Sequence, residues 1–280
     1  MNITLDDIKD DITRSVNIAL EEDVGSGDIT AQLIPADKAD TARIITREDC
    51  VICGTAWVDE TYRQLDDSIS IDWQVKDGDS VKAGSTLVTL SGNSRALLTG
   101  ERTALNFLQL LSGTATKANE FAQALGDSHI KLLDTRKTIP GLRTAQKYAV
   151  ATGGCHNHRI GLFDAYLIKE NHIAACGSIE NAIKTAREHN PGKIVEIEVE
   201  SIPELKKAVS ASADIVMLDN FDNHILSNIK EIDKRKSKYE LSGNIIIDDV
   251  IHYNRFNIDY ISIGALTKNV DAIDLSMKII

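Results

Sequence analysis

Five charged residues, widely spaced in the chain, are of the types needed to handle anions. Arg136 and Lys137 follow "KLLDT", Lys169 closes "AYLIK", Glu198 closes "IVEIE", and Asp219 follows "IVML". Ser242-Gly243 follows "YEL", and Gly264 closes "ISIG". Arginine grips carboxylates and phosphates with a planar fork, while lysine acts as a point charge. Glu198 and Asp219 suit ribose hydroxyls or a hydrated Mg²⁺. A serine hydroxyl beside glycines suits a phosphate seat built from backbone N–H groups, and Gly264 could serve likewise. The set is coherent for a sugar polyphosphate with Mg²⁺ and an acidic co-substrate.

Three histidines, His156, His158 and His172, fall in "HNHRIGLFDAYLIKENH" together with Arg159 and Lys169. Metal ligation by this trio is disfavoured, because two fixed cations nearby would repel the ion. The cations concentrate here although the chain as a whole is acidic, with a formal charge of −11. Such a cluster points to a pocket for a small anion rather than to a nucleic-acid surface, which needs a broad basic face. Taken singly, each residue has a plainer reading, since loops begin at strand ends and polar residues there are solvated. The Ser242-Gly243-Asn244 step is also readable as a simple turn.

These residues need a scaffold that brings strand ends together. From about residue 130, short apolar runs alternate with helical patterns, the latter including 178–190, 201–210 and 222–237. Repeated βα units of this kind predict parallel strands joined by crossover helices. Six units make a barrel-like or doubly wound α/β domain. A barrel is preferred because its strand ends converge on one rim, where barrels carry their active sites.

The first part of the chain reads differently. Leu5, Ile8, Ile12, Val16 and Leu20 recur at helical spacing, with Thr4 and Asp7 as a capping box. Strand-like "ARIIT", "SISIDWQV" and "STLVTL" follow, with turns at Asp77-Gly78 and Ala83-Gly84. Residues 55–66 and 94–125 read as helices, the second interrupted near Gly113. The predicted class is α/β: an N-terminal α+β sandwich over 1–112, joined by 266–280, then an incomplete barrel of about six strands over 113–265 that carries the active site. Cys50 and Cys53 form a lone C-x-x-C without the second knuckle of a zinc site, and read as buried thiols of a reducing cytosol. No apolar run approaches the ~20 residues of a membrane span.

"ALEEDVGSGDIT", "ERTALNFLQLLSGTAT", "DTRKTIPGLRTAQKYAVATGGCHNHRIGLFDAYLIKENHI", "EIEVE", "VMLDN", "SGNI" and "ISIGALT" occur in this order. Together they closely resemble the quinolinate phosphoribosyltransferase family over nearly the whole chain. The resemblance implies a homodimer with shared active sites, while the acidic charge, the thiols and the lack of a long apolar run point to the cytoplasm without nucleic-acid or membrane partners. It implies that quinolinate attacks C1 of phosphoribosyl pyrophosphate, with loss of pyrophosphate and CO₂, to give nicotinate mononucleotide for NAD biosynthesis. By motif, Arg136, His158, Arg159 and Lys169 would hold the quinolinate carboxylates, joined by Arg102 from the partner subunit. Lys137 would help bind pyrophosphate. Glu198 and Asp219 would face the ribose and Mg²⁺, and Ser242, Gly243 and Gly264 the 5′-phosphate. Lys137, Glu198 and Asp219 form the catalytic set. The chain departs from the family in "GALTKN", where Lys268 replaces a histidine near the phosphate, and in Cys155, which stands where many relatives carry glycine.

Two other readings remain open at this stage. A paralogue of the same fold could act on another acidic base such as nicotinate, though a monocarboxylate needs fewer cations. A non-catalytic sugar-phosphate binder would keep Ser242-Gly243 and Gly264 but has no use for Glu198, Asp219 and the full cation set.

Overall fold

The computed structural model describes residues 2–280, which fold as two compact units. The first contains the chain up to Asn119 together with Thr138–Gly154 and Ala265–Ile280. The second contains Glu120–Lys137 and Cys155–Gly264.

In the first unit the Thr4 backbone N–H and hydroxyl both donate to Asp7, at 2.9 and 2.6 Å, satisfying groups at the helix entrance. A 3-10 turn, Leu5–Ile8, leads into α1, Lys9–Val24. Ile12, Val16 and Leu20 recur every four residues and form its buried stripe. Strands β1 (Ala39–Thr46), β3 (Ser70–Trp73) and β5 (Thr86–Asn93) join the last strand, β12 (Leu275–Ile279), in the antiparallel order β12-β1-β5-β3. The short β2 (Cys50–Val51) and β4 (Ser80–Val81) pair separately. Along β1, Ala42, Ile44 and Thr46 are buried while Arg43 is exposed, the alternation expected of a sheet with one covered face. Tyr62 of α2 (Thr55–Leu65) packs in this core with Leu97 and Leu105 of α3 (Ser94–Leu125). Helices α4 (Arg143–Thr152) and α9 (Ala265–Lys268) also belong here.

The expected break near Gly113 does not occur, and α3 is one unbroken helix of 32 residues. Gly113 serves close approach instead: a Cβ there would lie 2.1 Å from the Asp271 carbonyl oxygen. Burial pushes the Cys53 thiol well above its usual range, reinforced by the charge of Asp77, so it is an inert buried thiol.

The second unit holds six strands: β6 (Lys131–Leu133), β7 (Tyr166–Ile168), β8 (Val195–Val199), β9 (Ile215–Asp219), β10 (Lys238–Ser242) and β11 (Tyr260–Ser262). All are parallel, in the order β6-β11-β10-β9-β8-β7. Strands β6 and β7 are consecutive in the chain yet form the two edges, giving the incomplete barrel. Helices α5 (Glu170–Cys176), α6 (Ile179–His189), α7 (Ile202–Ser210) and α8 (Asn223–Asn228) lie in the connections. Ser178, Ser201 and Asp222 accept backbone N–H groups at the starts of α6, α7 and α8, which is why helices begin there.

The helix expected over 222–237 is shorter than its pattern suggests. It gives way to a 3-10 turn at Ile229–Glu231 and then to a turn with Arg235 at φ +52°. Lys234 and Lys238 both reach Asp259 at 2.8 Å, and this shared anchor favours the turn over continued helix.

Candidate active site

A strand's side chains alternate between faces, so the residues that close the barrel strands share a face with those two positions earlier. At the strand ends Arg136, Lys137, His158, Arg159, Lys169, Glu198, Asp219, Ser242, Gly243 and Gly264 line one cavity of about 460 Å³. Residues scattered over more than a hundred positions are thus brought together. Arg102 is exposed on α3 and Lys268 ends α9, and both belong to the first unit.

The cationic part of the wall is Arg136, Lys137, Arg159 and Lys169. Arg136 Nε is buried and has no hydrogen-bond partner among the described residues, a costly state that an anionic ligand would relieve. Burial lowers the Arg159 guanidinium from its usual range and the charge of Arg136 lowers it further, while Glu196 and Asp164 oppose the shift. Arg159 Nη1 donates to the Ala165 carbonyl at 2.9 Å, which fixes the direction of the fork. A Cβ on Gly264 would come 3.1 Å from Lys137 Cδ, so glycine there makes room for the lysine stem.

Carboxylates and hydroxyls form the rest. Asp219 accepts the Ser242 hydroxyl at 2.7 Å and the Asn220 side-chain amide at 2.8 Å. Asn220 sits in the left-handed region at φ +54°, and Gly243 has φ +145°, a backbone that favours glycine. Glu198 accepts from Lys169 Nζ at 2.5 Å. The Glu198 and Asp219 oxygens are acceptors on the neighbouring strands β8 and β9. That donor set fits Mg²⁺, which keeps most of its waters and takes one or two carboxylates plus substrate phosphates.

His158 stands apart from the other cations. Its Nε2 lies 3.0 Å from Glu196 and 3.4 Å from Glu240, both buried in the barrel. Burial alone would lower the ring, but the hydrogen bonds and charges of Glu196 and Glu240 outweigh it and raise it to about 10. Burial, with the charge of Glu240, pushes Glu196 up to about 7 against the pull of His158. The Arg159 backbone N–H donates to His158 Nδ1 at 2.8 Å, which favours a single ring proton placed on Nε2. A ring raised that far would carry a proton on both nitrogens, but the Arg159 N–H aimed at Nδ1 from 2.8 Å opposes the second one, so the geometry favours the neutral ring with its proton on Nε2.

Glu196 and Glu240, which lie beneath the cavity's lining, were not among the residues expected from the sequence, and neither were Asn220 and Ser262, which line it. A signal for the two glutamates existed. In "VEIEV" Glu196 is two residues before Glu198, and in "YELS" Glu240 is two before Ser242, so each shares the inward face.

A parallel βα sheet whose strand ends gather cations, carboxylates and a glycine-lined seat around one cavity defines a barrel enzyme for polyanionic substrates. The comparisons are more specific. The quinolinate phosphoribosyl transferase N-terminal domain matches residues 28–112, and the C-terminal domain of the same name matches 114–278. The chain therefore belongs to the quinolinate phosphoribosyltransferase family. A Bacillus subtilis relative described as a probable nicotinate-nucleotide pyrophosphorylase (carboxylating) is 40% identical over 259 residues, covering 92% of this chain and 90% of the relative. The structure of the nicotinate-nucleotide pyrophosphorylase from Francisella tularensis matches with a TM-score of 0.93 and 48% identity, covering 97% of this chain and 96% of that one. NadC from Streptococcus pyogenes matches with a TM-score of 0.92 and 39% identity, over 99% and 98% of the two chains.

Proposed function

We propose that the protein transfers the phosphoribosyl group of phosphoribosyl pyrophosphate to quinolinate, with Mg²⁺, and releases pyrophosphate and CO₂. The product is nicotinate mononucleotide, a precursor of NAD. The observation that carries the reading is one cavity holding Arg136, Arg159 and Lys169 for a dicarboxylate together with Glu198, Asp219 and Ser242 for a ribose phosphate.

The geometry suits the chemistry. The quinolinate ring nitrogen attacks C1 of the ribose as the C1–O bond to pyrophosphate breaks. Positive charge builds on the ribose, and carboxylates at Glu198 and Asp219 stabilise it. Lys137 stabilises charge on the leaving pyrophosphate, and Mg²⁺ bound through Glu198 and Asp219 would add a Lewis acid there. Arg136, Arg159 and Lys169 orient the two carboxylates. When the C2 carboxylate leaves as CO₂, its bonding electrons remain on the ring, where the cationic pyridinium nitrogen accepts them. A proton from solvent completes the product, so the step needs no dedicated base.

A homodimer is part of the reading, with Arg102 entering the partner's site and Lys268 near the phosphate. No nucleic acid or membrane is involved, and the proposed setting is cytoplasmic. No described helix is long and apolar enough to cross a membrane, and free cysteines suit a reducing compartment. The test is CO₂ release from purified protein given quinolinate, phosphoribosyl pyrophosphate and Mg²⁺. Folded protein that releases none would refute the reading. Nicotinate should be a poor substitute, because its single carboxylate leaves part of the cation set unpaired. Comparable kcat/KM for the two acids would overturn the dicarboxylate assignment.

A further inference from the structure

Two of the most deeply buried carboxylates in the second unit do not line the cavity. Glu196 on β8 is 1% exposed and Glu240 on β10 is fully buried. Burying two carboxylates is costly unless something compensates. The group they share is the His158 ring, at 3.0 and 3.4 Å from Nε2. Three other contacts complete the arrangement around that residue. Asp134, itself buried, accepts the His158 backbone N–H at 2.9 Å and the Asn157 side chain at 2.7 Å. On the far side of the ring, Nδ1 accepts the Arg159 backbone N–H at 2.8 Å.

We propose that Glu196 and Glu240 are positioning residues for the acid-binding half of the site, acting through the His158 ring on the Arg159 peptide. A neutral imidazole has one proton. The carboxylates draw it to Nε2, so Nδ1 is left as an acceptor and holds the Arg159 N–H. That bond fixes the backbone from which the Arg159 fork reaches into the cavity. Without the carboxylates the proton is free to move to Nδ1, where it would face the Arg159 N–H and lose the bond. In this arrangement Nδ1 is hydrogen-bonded and Nε2 lies 3.0 and 3.4 Å from the two carboxylates, so His158 supports the grip on the acid by holding Arg159 in place.

A metal site is the competing reading, because His158, Glu196 and Glu240 each bring a ligand atom within 4.8 Å of one another. It fails on the same proton. A neutral imidazole ligating through Nε2 would carry its proton on Nδ1, where the Arg159 N–H already donates.

The proposal rests on the functional reading above only for the identity of the acid. Its first test needs no ligand or turnover: nitrogen NMR of the His158 ring in the wild-type protein. A ring protonated on Nε2 and bare on Nδ1 is expected, and a ring protonated on Nδ1 overturns the proposal. The second test is calorimetric titration of Glu240→Ala, Glu240→Gln and Glu196→Gln with quinolinate and, separately, with phosphoribosyl pyrophosphate. Glu240→Ala should weaken quinolinate by about tenfold and leave the sugar phosphate within about twofold. The isosteric glutamines keep an acceptor oxygen and should recover much of the loss. Equal losses for both ligands, or unchanged quinolinate affinity in the folded variants, would overturn positioning. So would a stoichiometric Zn²⁺ in the wild type that these substitutions abolish. Quinolinate binding with the expected ring tautomer but no CO₂ release would refute the activity and leave the positioning role standing.

Discussion

Lys169 Nζ lies 2.5 Å from Glu198 Oε2 in the cavity that both line. On the proposed reading these two serve different substrates, the lysine a carboxylate of quinolinate and the glutamate the ribose. Here they satisfy each other. An arriving carboxylate that takes Lys169 releases Glu198 for the sugar, so the pair links the two halves of the site. Glu198→Gln should remove the competition. Quinolinate affinity measured by calorimetry should stay equal or tighten by up to about fivefold, the range of a partly exposed ion pair. Turnover should fall by about a hundredfold or more as a transition-state charge is lost. A clear loss of quinolinate affinity would show that Glu198 supports Lys169 and does not restrain it.

The two walls of the cavity should separate by ligand. Arg136→Ala or Arg159→Ala removes a charge-assisted hydrogen bond of about 1.5–3 kcal/mol, or roughly ten- to a hundredfold in quinolinate affinity. Binding of phosphoribosyl pyrophosphate should change less. Ser242→Ala should show the opposite preference, and the structure adds a reason. The Ser242 hydroxyl holds Asp219 at 2.7 Å, so its loss loosens the carboxylate as well as the phosphate seat. Titration of each variant with each ligand is the measurement, and equal losses throughout would contradict the assignment.

Much of this site was legible because chemistry at strand ends is written twice, in residue type and in the period of βα units. "AYLIK" places Lys169 and "IVML" places Asp219 without any structural knowledge. The glutamates beneath the rim are legible in principle from the period of two, but a charged residue inside a strand carries no local sign of whether it is buried or solvated. What the sequence alone did not show was the direction of side chains. That His158 faces Glu196 and Glu240 depends on the path of the loop after Cys155, which no local pattern encodes. The reading of α3 failed for a related reason. Glycine lowers helix propensity, but that local cost of about 1 kcal/mol is outweighed when tertiary packing needs its missing side chain.

Gly113 offers a direct test of that balance. In an isolated helix Gly→Ala stabilises, by about 1 kcal/mol. Here the added methyl would meet the Asp271 carbonyl at 2.1 Å, far inside contact distance, and that carbonyl belongs to backbone that cannot swing aside freely. Gly113→Ala should therefore destabilise, by about 1–3 kcal/mol. Denaturant unfolding reads the sign. A stabilised variant would mean that the chain around Asp271 yields easily and that Gly113 serves no packing role.

Arg102 supplies the test of shared active sites. It is exposed on α3, between the partly buried Glu101 and the buried Thr103 and Ala104, so the helix presents it outward from its own core. Lys169 lines the cavity of the second unit. If Arg102 completes the partner's site, Arg102→Ala and Lys169→Ala homodimers should each be nearly inactive. A mixed dimer places both lesions in one site and leaves the other site intact. Unfolding and refolding an equal mixture should recover activity of about a quarter of wild type, for random pairing in a two-fold dimer with independent sites. Complete unfolding also removes any barrier from slow subunit exchange. Mass spectrometry of the refolded sample establishes that mixed dimers have formed. If they are present and as inactive as their parents, Arg102 serves its own subunit's site or none, and the shared-site assignment is wrong.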